Sequence, residues 1–108
     1  MKKDFDLLII GGGSAELTAG WFARQLDLSV AIVEKGRLGG DCTWIGGIPR
    51  KTLLRAAKSA HIIRDAACFG VIAPEPAIDL KSAMGRVNSV MQEIFESESP
   101  DTLRSKRI

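Results

Sequence analysis

Cysteine is scarce in this chain: Cys42 and Cys68 are the only two among 108 residues. Two cysteines do not make the disulfide framework of a small secreted domain. Charge of one sign is scarce as well. Fifteen basic and thirteen acidic residues are interspersed and leave a net charge of +2. That balance argues against a nucleic-acid partner and against a membrane surface. No apolar run approaches the ~20 residues a membrane helix needs. Residues 1–10 have a basic tip and a short apolar run, but Asp4 and Asp6 interrupt it and three glycines end it. A signal peptide does not fit that pattern, and the expected location is cytoplasmic. Histidine occurs once, as His61. It falls on the apolar side of a predicted helix, with Leu53, Leu54 and Ala57, and reads as a packing or surface residue. Glu93, Glu96 and Glu98 read as a solvated helix face, so no metal site is expected.

What is present is the composition of one small soluble globular domain: 45% hydrophobic and 26% charged residues. Residues 5–10 (FDLLII) form a short apolar run ended by glycines, as expected of a strand buried on both faces of a parallel sheet. Residues 14–27 carry Leu17, Trp21, Phe22 and Leu26 near helical spacing, with Ser14 as a candidate cap and Gly20 as a weakening element. Residues 29–34 (SVAIVE) read as a second strand. Strand, glycine turn, helix and strand make one βαβ unit.

A glycine-rich stretch over residues 36–47 follows, and Pro49 marks the first turn of a helix running to about Ala67. Residues 71–77, with Pro74 and Pro76, read as a connector. Asp79 is the predicted N-cap of a long helix to about Glu98, with the apolar stripe Leu80, Met84, Val87, Met91, Ile94 and Phe95. Ser99, Pro100 and Asp101 break it and start a short last helix.

The glycine turn lies where a dinucleotide fingerprint belongs. Gly11 permits the tight turn, and the backbone N–H groups that follow can face a pyrophosphate at the positive end of a helix. Glu34 ends the second strand, 34 − 11 = 23 residues after Gly11. An acid there can accept hydrogen bonds from both hydroxyls of an adenosine ribose. The third glycine of the pattern is replaced by Glu16. Its β-carbon is expected to crowd the strand and its carboxylate to repel a phosphate, which predicts weakened dinucleotide affinity.

Residues 39–51 (GGDCTWIGGIPRK) are the most specific stretch. They resemble the redox-active motif G-G-x-C-x-x-x-G-C-x-P-x-K of the class I pyridine-nucleotide disulfide oxidoreductases, in particular the mercuric-reductase-like and dihydrolipoyl-dehydrogenase-like members. The resemblance spans essentially the whole chain. It implies an α/β fold: a partial, truncated Rossmann-like FAD-binding domain, βαβ followed by helices, with residues 1–108 as the N-terminal part of an FAD/NAD(P)-binding domain.

The resemblance further implies FAD as cofactor. Gly11, Gly13, Ser14 and Ala15 would face its pyrophosphate, Glu34 would hold the ribose and Lys35 would lie beside it. Gly40, Asp41 and Cys42 would approach the phosphate and flavin, and Lys51 would lie near the flavin N5 atom and stabilise its reduced form. Cys42 matches the substrate-side cysteine of the redox pair. Gly47 stands where the flavin-side cysteine belongs, so the dithiol relay is expected to be absent. Cys68 reads as a small buried or half-buried core thiol. Arg50 replaces a serine common in one branch, and Arg107 stands where relatives often have glycine.

Full members of the family also carry an NAD(P)H domain and an interface domain, which are expected to lie outside these residues. Activity of this chain alone is therefore not expected, and marginal stability with exposed apolar surface is. The alternative reading is a non-catalytic truncated relic or interaction module that associates with an intact relative or with a second copy.

Overall fold

The computed structural model describes residues 4–108. Strand β1 (Leu7–Ile10) leads through the glycine turn into helix α1 (Ser14–Gln25), and the chain returns as β2 (Val30–Val33). The two strands pair in parallel, with Leu7 opposite Val30 and Ile10 opposite Val33. Their entry is pinned by Asp6, whose Oδ2 accepts from the Ser29 N–H at 2.9 Å and the Ser29 hydroxyl at 2.7 Å. The βαβ unit and the partial α/β fold read from the sequence are present.

Helix α1 covers one face of the sheet with Leu17, Gly20 and Ala23. A β-carbon at Gly20 would lie 3.2 Å from Ile32 Cδ1 and 3.5 Å from Ile9 Cδ1. The glycine that weakens the helix locally therefore lets it approach the strands closely. That close approach falls one turn after Glu16. The expectation that Ser14 caps α1 is corrected: Gly13 is the N-cap, no side chain caps the helix, and Ser14 is its first residue. The helix closes at Gln25, two residues early, and Asp27 takes a left-handed conformation (φ 59°).

The strands are not buried on both faces as their apolarity suggested. Leu8, Ile10 and Val33 point away from α1 and are exposed, Ile10 at 83%. Among the described residues no element covers that face.

The glycine-rich stretch contains a one-turn helix, α2 (Gly40–Trp44), followed by α3 (Gly47–Asp65), a 3-10 turn (Ala66–Phe69), α4 (Leu80–Ser97) and α5 (Pro100–Ser105). Pro49 sits in the first turn of α3, where its missing N–H leaves no bond unmade. Asp79 caps α4 by accepting from the Ser82 N–H at 3.1 Å, and Ser99 caps α5 by accepting from the Thr102 N–H at 3.2 Å. Both caps follow the sequence reading.

Helices α3 and α4 pack along each other as a hairpin, with Ala60 and Val87 buried between them. Of the predicted α4 stripe, Val87, Met91, Ile94 and Phe95 are buried or half-buried, whereas Leu80 and Met84 near the hairpin tip are exposed. The predicted packing face of α3 is corrected. Leu53, Leu54, Ala57 and His61 are exposed, and His61 Nε2 lies 3.0 Å from Asp65 on the solvent side. The 3-10 turn at the tip leaves Cys68 exposed rather than in a core.

The molecule measures 72 × 26 × 19 Å, with a radius of gyration of 20.0 Å. A compact domain of this length has a radius of about 13 Å. The hairpin projects from the βαβ unit, and little core joins the two.

Candidate functional site at the glycine turn

The glycine turn and the cysteine segment, separate in sequence, form one site. Gly39 donates its N–H to the Gly12 carbonyl at 2.8 Å. A β-carbon at Gly40 (φ 57°) would come within 3.0 Å of Gly13 Cα, so the two backbones touch where only glycine fits both conformation and space. Glu34, at the end of β2, turns back over the turn. Its Oε2 accepts from the Gly12 N–H and its Oε1 from the Gly36 N–H, both at 2.7 Å. The acid is thus fixed by backbone from two loops, and each oxygen keeps a further lone pair. Lys35, next in the chain, is exposed. Beside Glu34 opens a cavity lined by Ile32, Leu38, Pro100, Leu103, Arg104 and Ile108.

Gly11, Gly13, Ser14 and Ala15 frame the start of α1, whose first N–H groups meet no side-chain cap. The side chain of Glu16 reaches back over them. Its Oε2 lies 2.9 Å from where a β-carbon of Gly13 would stand, and its Cγ 3.3 Å from that of Gly11.

Cys42 lies on α2 and is exposed. Asp41 precedes it in the first turn, and the Asp41 carbonyl accepts from the N–H of Ile45 at 3.0 Å and of Gly46 at 2.6 Å. These bonds fold residues 41–47 so that Gly47 faces the sulfur: a β-carbon at Gly47 would lie 3.2 Å from Cys42 Sγ. Lys51 follows one turn later on α3. It lines a groove between α3 and α4 with Ile48, Thr52, Arg55, Arg86 and Val90. Among the described residues no ion pair joins Lys51 to the glycine turn.

Sequence reasoning missed the residues that anchor this segment. Thr43 is 1% exposed, and its hydroxyl donates to Glu98 Oε2 at 3.2 Å. Glu98 is therefore half-buried and bonded, not part of a solvated face. Trp44 donates its Nε1–H to the Leu38 carbonyl at 2.8 Å and packs at a tilt against Phe95, with ring centroids 5.2 Å apart. The Arg37 guanidinium lies over the Trp44 ring, 3.0 Å from its centroid. The available signal was an aromatic residue inside a glycine-rich stretch; no pattern in the sequence marks Thr43 or Glu98 as partners.

A parallel strand pair with a glycine turn opening a helix, and an acid closed over that turn from the end of the second strand, defines a Rossmann-like α/β fragment. A family model described as "Pyridine nucleotide-disulphide oxidoreductase" matches residues 5–103, and the chain belongs to that family. Over 90 residues it is 40% identical to a dihydrolipoyl dehydrogenase of Zymomonas mobilis subsp. mobilis, covering 83% of this chain and 19% of that protein. Over 102 residues it is 32% identical to a mercuric reductase of Lysinibacillus sphaericus, covering 94% of this chain and 19% of that protein. A dihydrolipoyl dehydrogenase of Bacillus subtilis is 36% identical over 94 residues, covering 87% of this chain and 20% of that protein. The chain spans about a fifth of the length of the curated relatives it matches.

Proposed function

We propose that the chain is the FAD-binding segment of an NAD(P)H-dependent flavoprotein of the disulfide or mercuric reductase type, and that it lacks a dithiol relay of its own. The observation that carries this reading is the closure of Glu34 over the glycine turn, with Oε2 on the Gly12 N–H at 2.7 Å. That closure sets a ribose acceptor beside an uncapped helix start. The donor set fits a dinucleotide: N–H groups at Gly13, Ser14 and Ala15 for a pyrophosphate, and the Glu34 carboxylate for ribose hydroxyls. The recess lined by Ile32, Leu38 and Leu103 suits a purine.

FAD, when bound, supplies electron transfer between a nicotinamide and a disulfide or metal-ion substrate. The chain's own part is to bind and orient. Lys35 would lie beside the ribose, Gly40 and Asp41 would follow the phosphate, and the Lys51 ammonium would favour a reduced, anionic flavin. Cys42 presents one thiol, and Gly47 offers it no partner.

The test is the flavin content of the purified folded protein. A yellow protein with stoichiometric FAD is expected, before or after loading. A folded, colourless protein that cannot be loaded overturns the reading.

A second reading is favoured by one observation, the open sheet face at Leu8, Ile10 and Val33. It makes the chain a non-catalytic module that associates with an intact relative or a second copy through that sheet. In the same purified protein, self-association or capture of a full-length relative, without flavin, is its signature.

A further inference from the structure

We propose that Glu16 is the specificity-determining residue of the glycine turn: its carboxylate borders the surface a diphosphate uses and so weakens diphosphate binding relative to adenosine without abolishing it. The inference rests on the dinucleotide reading above and concerns its regulation.

Three observations carry it. The Glu16 side chain lies back over Gly11 and Gly13, with Oε2 2.9 Å from a β-carbon position of Gly13. Gly13 is the N-cap of α1, and no side chain caps that helix start. Second, no cation pairs with the Glu16 carboxylate. Among the described residues no ion pair involves Glu16. Two further carboxylates border the turn, Glu34 closed over Gly12 and Asp41 directly after Gly40, while the nearby cations face other cavities, Lys106 beside Ser14 and Arg104 beside Glu34. Third, Glu34 and the recess beside it lie on the far side of Gly12, clear of Glu16. An adenosine can reach them without moving Glu16, whereas a diphosphate must displace it or accept a carboxylate alongside.

The same carboxylate favours the free protein. In the first turn of α1 it complements the partial positive charge of the helix start. Removing its charge therefore weakens the ligand-free fold and strengthens diphosphate binding, two effects of opposite sign that a purely structural role does not produce.

The experiment titrates wild type, Glu16→Gln and Glu16→Gly with adenosine and with ADP by calorimetry, and follows the Gly11 and Gly13 amide resonances without ligand. Two unit charges about 4 Å apart in a water-like medium interact by a factor of about five in binding, so Glu16→Gln is expected to tighten ADP on the order of fivefold and to change adenosine by less than about twofold. Glu16→Gly is expected to tighten ADP further, because the volume is removed too. The two amides are expected to shift in Glu16→Gln, whose ligand-free melting temperature falls. Unchanged ADP affinity with adenosine still bound overturns the role of Glu16 and leaves the dinucleotide reading standing, and so do unmoved amides. Failure of both probes to bind any variant overturns the dinucleotide reading and this inference together.

Discussion

A β-carbon at Gly47 would stand 3.2 Å from the sulfur of Cys42. In a disulfide with an S–S bond of about 2.05 Å, the β-carbon of one cysteine lies about 3 Å from the sulfur of the other. The backbone of residues 42–47 thus holds the geometry of a cross-link whose second half is missing.

The first prediction follows from that geometry. In a Cys68→Ser background, Gly47→Cys should oxidise to an intramolecular disulfide without backbone rearrangement. Thiol titration should fall from two groups to none on mild oxidation, and the short loop should add about 2 kcal/mol of stability by its entropy. Two thiols that persist under oxidant would sink the idea.

Thr43 and Glu98 join α2 to the end of α4 through one hydrogen bond of 3.2 Å. Thr43→Val keeps the shape of the buried side chain and leaves the half-buried Glu98 oxygen without its donor, at a cost of about 1 kcal/mol. Denaturant unfolding measures it; a variant as stable as wild type would show that water replaces the hydroxyl at no cost.

Arg107 adopts a left-handed backbone, φ 62°, just after α5. Glycine adopts that conformation without a β-carbon clash. Arg107→Gly should stabilise the chain by about 0.5–1 kcal/mol, the relief of the β-carbon clash less the added freedom of the unfolded state. A lower melting temperature in the variant would mean that the Arg107 side chain makes a contribution larger than the strain.

Asp79 titrates below its ordinary value of 3.8 because the Ser82 side chain and then the Ser82 backbone N–H hydrogen-bond its carboxylate. A carboxyl whose pKa is depressed in the folded state stabilises that state above the unfolded pKa and stops doing so as pH falls through the folded one. Asp79→Ala should therefore melt below wild type at neutral pH, and the gap should close only below pH 3.8. A gap that stays constant down to the most acid conditions would show that the cap acts without its charge.

Much of the local structure was legible in the sequence because local physics sets it. The glycine turn between two apolar runs fixed β1, α1 and β2, and Asp79 and Ser99 marked two helix starts through side-chain acceptors three residues from their N–H donors. The same reasoning misplaced Ser14, because the turn geometry made Gly13 the cap. It put Leu53, Leu54 and Ala57 on the packing face of α3 by periodicity and Cys68 in a core by residue type, yet the hairpin packs through Ala60 and Val87 and leaves all four exposed.

The sequence by itself determined the βαβ unit, the order of the helices and the two motifs that mark the family, since glycine conformations, caps and apolar periodicity act over a few residues. Only the tertiary structure decided that Gly39 bonds Gly12, that Thr43 meets Glu98 fifty-five positions away, that the Glu16 side chain lies back over Gly11 and Gly13, and that one sheet face stays open. Those outcomes depend on which surfaces meet after the chain folds back on itself, and no spacing along the chain encodes them.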